Sequence, residues 1–403
     1  MNPTPQIFIS VDIGCRQHSV AIGLPNGDVL DEFGIHHRLE GFKQFFERIE
    51  HHRQQHGNEV AVAMEGYNGY ARPLDCLVKV RGYQLYNINN LKLARFKEIF
   101  PAAAKNDRID ACKGLELFQL RDHLPLAKDV LQEVMPTPQE NDMLKRLSRR
   151  RRSLVNEKSR LQGRLQTDLH AVCPGLLDIT KNANSLWFLR FIASVDELTK
   201  LSRLRLSTLN KISSIGRKYA AIIKAWQPNA SFSHEVEWVG EMIIADAQRI
   251  LALKADIKAL ELRCKTLMND SRAAQLIDSV PGFAVICTSE LVGEIGTIDR
   301  FASERSLALY LGMANLDNCS GKFRGSKAPK HVNKRAKGAM MTAVDKHRKC
   351  VPESQRYYQK KRTEGKSHNQ AIRALGRQLC RIIFKMLKQN RVYEICLENN
   401  KNT

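Results

Sequence analysis

The chain of 403 residues lacks several features that would place it outside a reducing aqueous compartment. Its ten cysteines (Cys15, Cys76, Cys112, Cys173, Cys264, Cys287, Cys319, Cys350, Cys380 and Cys396) are scattered singly. No two stand at C-x-x-C spacing, which argues against a zinc ribbon, and they read as small buried hydrophobes. No apolar run approaches the ~20 residues of a spanning helix. Met1 to Gln6 lacks the basic-then-apolar order of a secretory signal. A cytoplasmic, nucleoid-associated location without membrane contact is expected. Acidic residues are also scarce, 42 against 64 Lys and Arg, for a net charge of +22. Like charges repel in the compact state, so the excess implies a polyanionic partner. Nucleic acid leads, because cationic side chains release its condensed counterions. An anionic membrane surface is the rival.

Hydrophobic residues make up 43% of the chain, enough for a core, and the length suits two or three domains. Ile7 to Ile13, Ser19 to Leu24 and Val29 to Phe33 read as strands, the last two joined by the Pro25-Asn26-Gly27-Asp28 turn. Leu39 to Ile49 reads as a helix, Val60 to Met64 as a strand, Tyr70 to Val80 as a helix and Gln84 to Ile88 as a strand. The order β-β-β-α-β-α-β predicts an α/β domain opening on an antiparallel meander, the RNase H-like pattern.

Beyond Pro136 the pattern turns helical and basic. Leu144 to Leu169 carries Arg149, Arg150, Arg151 and Arg152, which are expected to contact nucleic acid. In Ile243 to Leu267, Ile243, Ile250, Ile257 and Cys264 repeat by seven, as do Leu253, Leu260 and Leu267. That is a coiled-coil seam, either an antiparallel pair within one chain or a contact between protomers. Val280 to Gly293 reads either as a phosphate-binding hairpin between helices or as a plain turn. Phe301 to Ala314 is expected to be helical, Asn315 to Asn333 a loop, and Lys334 to Val344 and Gln370 to Lys388 helices with basic faces.

Two constellations carry chemistry. Asp12 and Glu65 each end an apolar strand, where a carboxylate is costly unless it is paired or binds a metal. Asp107 and Asp110 stand three apart in Lys105-Asn106-Asp107-Arg108-Ile109-Asp110-Ala111, on one face if that segment is helical. Four such acids suit Mg²⁺ or Mn²⁺, and two ions about 3.5–4 Å apart clamp the attacking and leaving oxygens of a phosphodiester. The alternative for the last pair is a solvated helix start. The second constellation is Ser320 in a glycine-bearing loop with Lys322, Arg324 and Lys327. Serine needs activation to act as a nucleophile, and those cations suit a phosphate. The alternative is a phosphate-contacting loop in which Ser320 only donates a hydrogen bond.

Val11-Asp12-Ile13-Gly14, Met64-Glu65-Gly66, the Lys105 to Ala111 block and the stretch from Ile277 to Ala336 together resemble the DEDD transposases of the insertion-sequence one-ten family, relatives of the pilin-gene invertases. The last stretch contributes Ser279-Val280-Pro281-Gly282, Phe301-Ala302, Leu311-Gly312 and Ser320-Gly321. The resemblance implies a RuvC-like metal-binding domain over 1–136, a basic helical and coiled-coil connector over 137–270, and a mainly α transposase domain over 271–403. It puts Asp12, Glu65, Asp107 and Asp110 at the metal-binding catalytic positions and Ser320 at the nucleophile. It also implies DNA and a structured guide RNA as partners, and a homo-oligomer, dimer or tetramer, in which one protomer's acids meet another's serine. Cys319 stands where the family often has a first serine, and Ala328-Pro329-Lys330-His331 replaces its usual Ser-Lys-x-Gly. The alternatives are a metal-only junction resolvase, a DNA invertase without a guide RNA, and a non-catalytic nucleic-acid-binding protein.

Overall fold

The computed structural model describes residues 7–57, 59–66, 69–98, 107–122, 131–321, 323–327, 329 and 332–394. The chain divides into two compact units, Met1–Pro136 and Thr137–Thr403.

The first unit runs β1 (Ile7–Ile13), β2 (Gln17–Gly23), β3 (Val29–His36), α1 (Leu39–His56), β4 (Val60–Glu65), α2 (Arg72–Val80), β5 (Gln84–Ile88), α3 (Asn90–Lys97), α4 (Asp107–Gln119) and β6 (Leu131–Glu133). The β-β-β-α-β-α-β order expected from the sequence is the order observed. The sheet is arranged β3-β2-β1-β4-β5-β6. β1 to β3 form the antiparallel meander, β4 and β5 run parallel to β1, and β6 closes the edge antiparallel. This mixed sheet is consistent with an RNase H-like domain. The unbroken apolar run of β1 follows from burial on both faces. Ile7, Ile9 and Val11 share a core with Phe42, Phe45 and Ile49 of α1 and Leu74 of α2. Phe8 packs on the opposite face with Leu93 of α3 and Ala111, Leu115 and Phe118 of α4. Each large side chain so buried contributes about 1.5–3 kcal/mol.

The second unit opens on α5 (Gln139–Val172), followed by α6 (Leu186–Ile192), α7 (Leu206–Lys211), α8 (Arg217–Trp226) and α9 (Val236–Met268). α5 and α9 pair antiparallel. Arg151 bonds Glu261, Arg249 bonds Glu157, and Arg164 bonds Asp246, so the partner number falls as the α5 number rises. Leu154 packs with Leu253 and Ile257 between those rungs. Ile243, Ile250, Leu253, Ile257 and Cys264 are buried within this chain, in agreement with the intrachain alternative. α6 to α8 cap one end of the pair around Phe188, Phe191 and Trp226.

The remainder comprises α10 (Arg272–Asp278), α11 (Val285–Ile295), α12 (Glu304–Tyr310), β7 (Leu316–Ser320), β8 (Phe323–Lys327), α13 (Lys334–Cys350), α14 (Pro352–Thr363) and α15 (His368–Gln389). α12 is shorter than the helix expected over Phe301 to Ala314. The expected turn before α11 is present, with the Phe283 amide donating to the Val280 carbonyl. A Cβ on Gly282, whose φ is 86°, would lie 2.5 Å from the His347 amide nitrogen, and the Pro281 carbonyl bonds His347 Nδ1 at 2.7 Å. The turn thus packs on α13 of its own chain. The expected loop at 315–333 contains the β7-β8 hairpin. Ser320 pairs with Phe323, and Gly321 begins the turn between the strands. Gly321 has φ 53°, the left-handed value such turns require at their first central position. No helix among the described residues is long and apolar enough to cross a membrane.

Candidate active site

Strand register brings the first two acids together. β1 and β4 run parallel with Val11 beside Met64, so Asp12 and Glu65 follow at neighbouring ends. Side chains alternate along a strand. Asp12 shares a face with Phe8 and Ser10, and Glu65 with Ala61 and Ala63, which is the face covered by α4. The height of α4 is set by a close approach, because a Cβ on Gly114 would lie 2.2 Å from Ser10 Oγ. Asp110 is one turn before Gly114 and Asp107 about one more, so the helix start is aimed at the strand end that carries Asp12. A glycine inside a helix costs ~1 kcal/mol against alanine. Here it lets the helix backbone sit directly on the Ser10 side chain.

The electrostatics show the convergence. Burial, then the charges of Glu65, Asp110 and Asp107, push the Asp12 carboxyl from 3.8 to about 6. Burial also pushes Glu65 up, with Lys97 pulling it down and Asp110 adding to the rise. Lys97 Nζ lies 2.8 Å from Asp110 Oδ1. Asp107 is exposed and Asp110 half-buried. Asp110 is therefore not the free acid of an ordinary helix start, while Lys105 and Asn106 lie outside the described residues. Among the described residues no three His, Cys, Asp or Glu side chains stand close enough to enclose a metal ion. The donor chemistry nevertheless suits a hard divalent cation, because all four groups are carboxylates and their charges add to the rise at Asp12 and Glu65.

Ser320 ends β7 and is exposed beside the turn. Lys327, at the far end of the hairpin, is exposed as well. Lys322, Ala328, Lys330 and His331 lie outside the described residues, as does the side chain of Arg324 on β8. The chain returning from the hairpin is fastened by Asn333. Asn333 Oδ1 accepts from the amides of Arg335 and Ala336 and so caps α13. Its Nδ2 donates to Glu294 Oε2 and to Tyr310 Oη, both at 2.7 Å.

The four arginines of α5 divide. Arg149 donates to Glu294, Arg151 to Glu261 and Arg152 to Glu290. Three guanidinium groups expected to face nucleic acid are thus directed at carboxylates of this chain, since α11 buries Glu290 and Glu294 and a buried carboxylate needs a partner. Arg150 remains exposed. A second basic surface is clearer in the structure than in the sequence. Arg373, Arg377, Arg381 and Lys385 stand four apart on α15, opposite the buried Leu375, Leu379 and Ile383. None of the four is paired with a carboxylate among the described residues, and Arg377 Nη1 is buried without a partner. Like charges at this spacing destabilise a helix, so the column calls for an anion. Sequence reasoning missed Lys97, Glu294 and Asn333. Only Gly114, a glycine inside a helical stretch, left a mark that could have been read.

A family model described as transposase, of the DEDD IS110 type, matches residues 9–174. A second, described as transposase of the IS116/IS110/IS902 family, matches residues 274–359. Full-length relatives agree. The chain is 26% identical to the 42 kDa protein of insertion element IS900 from Mycobacterium paratuberculosis, over 84% of this chain and 85% of that one. It is 22% identical to the 43.6 kDa protein of insertion element IS110 from Streptomyces coelicolor, over 96% and 95%. Against the 44.8 kDa protein of insertion element IS116 from Streptomyces clavuligerus it is 24% identical, over 96% of each.

Proposed function

Since the chain belongs to the DEDD transposase family of the IS110 type and is a DNA transposase, we propose that it cuts and rejoins DNA through a divalent-metal centre at Asp12, Glu65, Asp107 and Asp110 and a nucleophilic Ser320. The observation that carries this reading is the convergence on Asp12. Asp12 and Glu65 stand at neighbouring strand ends on the face that α4 covers, and burial, then the charges of Glu65, Asp110 and Asp107, push the Asp12 carboxyl up to about 6.

Asp12, Glu65, Asp107 and Asp110 would hold Mg²⁺ or Mn²⁺, which would supply neutralisation of the phosphate charge and an easier ionisation of the attacking hydroxyl. The chain's own residues supply the rest. The acids fix where the phosphate sits. Ser320 Oγ attacks phosphorus, one bridging P–O bond breaks, and the departing DNA oxygen takes a proton to become a free hydroxyl. The phosphoserine link retains the energy of the broken bond, so a hydroxyl of another strand reverses it and joins the strands anew. Arg150 and the α15 column hold the backbone, contacts that position nucleic acid without reading its sequence. The charge of +22 suits a structured guide RNA beside the DNA.

The test of the metal centre is Asp12→Asn, which removes one anionic ligand and keeps the shape. Strand cleavage in Mg²⁺ is expected to collapse while DNA binding in a mobility-shift assay persists. Cleavage near the wild-type rate would contradict the reading.

A further inference from the structure

We infer that Lys97 is a built-in counter-cation of the acid cluster, occupying Asp110 until a divalent ion displaces it. The inference rests on the metal reading above and adds a competitor to it.

The geometry is specific. Lys97 is the last residue of α3, a helix whose first turn is fixed by the Asn89 side chain accepting from the Lys92 amide. Leu93, one turn earlier, lies in a core with Ala111 and Leu115 of α4. This seats the end of α3 beside the start of α4. The ammonium lies 2.8 Å from Asp110 Oδ1, and both side chains are largely withdrawn from solvent, at 27% and 20% exposure. The same ammonium lowers the proton affinity of Asp12 and of Glu65, against the mutual push of the acids. Neighbouring cations of α4 are committed elsewhere, Arg108 to Glu32 and Lys113 to Glu116.

An ammonium and a divalent ion compete for one carboxylate. Binding of one weakens binding of the other by the same factor, since the coupling is reciprocal. Lysine suits such a part because its charge is a compact point on a flexible stem. While it holds Asp110, the carboxylates stay assembled against their repulsion. Once released, the ammonium is free to approach the phosphate that arrives with the metal.

The experiment uses the full chain and Mn²⁺ as probe, followed by isothermal titration and by thermal unfolding with and without the ion. Lys97→Met keeps most of the stem and removes the charge, Lys97→Gln is a second neutral variant should methionine disturb the packing, and Lys97→Arg keeps the charge. The neutral variants are expected to bind Mn²⁺ about three- to tenfold more tightly than wild type. They should melt lower without metal and gain more from Mn²⁺, while Lys97→Arg stays near wild type in affinity. Unchanged or weaker Mn²⁺ binding in a neutral variant with a native circular-dichroism spectrum would overturn the proposal and leave Lys97 a scaffold residue. Absence of Mn²⁺ binding by wild type would instead overturn the metal centre on which the proposal rests, so the two failures are distinguishable.

Discussion

Arg149 grips Glu294 with two hydrogen bonds, Nε to Oε1 at 2.7 Å and Nη2 to Oε2 at 2.8 Å. Glu294 is 1% exposed, and its second oxygen also accepts from Asn333, the N-cap of α13. The pair therefore ties the basic helix α5 to the start of α13, the helix that follows the serine hairpin. Its arginine holds a buried carboxylate of the fold.

Arg149→Ala leaves the Glu294 carboxylate buried beside a reduced set of donors and is expected to cost about 2–4 kcal/mol in chemical denaturation. Arg150→Ala, one position along and exposed, should stay within about 0.5 kcal/mol. Equal losses for the two would contradict this division of labour.

The α15 column should show itself in salt. Replacing Arg373, Arg377, Arg381 and Lys385 with glutamine removes four backbone contacts and should lessen the slope of log K against log salt by about 3–4, with sequence preference unchanged. Fluorescence anisotropy between 50 and 200 mM salt, about the range in which such contacts dominate, reads this directly. An unaltered slope would remove α15 from the interface.

Asp12 makes a prediction in pH. Its folded value, about 6, stands above the ordinary 3.8, so between those values the folded protein holds a proton that the unfolded chain releases. Stability from this group is thus present at low pH and is lost as pH rises through 6. Asp12→Asn cannot lose that proton. Without divalent metal it should be more stable than wild type at pH 7, and the difference should fade toward pH 4 in parallel denaturant titrations. Solvent screening at this half-buried position holds the gap to about 1–2 kcal/mol. A gap that grows on acidification would have the wrong sign.

Much of the first unit was legible because its strands are apolar on both faces. Ile7 to Ile13 and Gln84 to Ile88 occupy the spans that their composition predicts. Asp12 and Glu65 stood out for the same reason, as charges closing runs that must be buried. The hairpin that bears Ser320 was hidden. The ribbon's strand residues are mostly polar or glycine and show no apolar alternation, and Leu316 is 39% exposed. The intrachain partners of the α5 arginines were not legible, because local sequence shows charge and not the carboxylates opposite. Glu290 and Glu294 lie over a hundred residues away and meet them only in the folded chain. Lys97 left no signal for a similar reason, since its partner Asp110 comes from the next helix.

The central claim is that Ser320 carries the DNA strand. A cleavage reaction with wild-type protein in Mg²⁺, stopped in denaturant and digested with nuclease and protease, should yield by mass spectrometry a peptide containing Ser320 with a nucleotide attached. Ser320→Ala, which removes one exposed oxygen and should leave folding and DNA binding intact, is expected to give neither adduct nor joined product. Strand exchange by Ser320→Ala at the wild-type level would contradict the account.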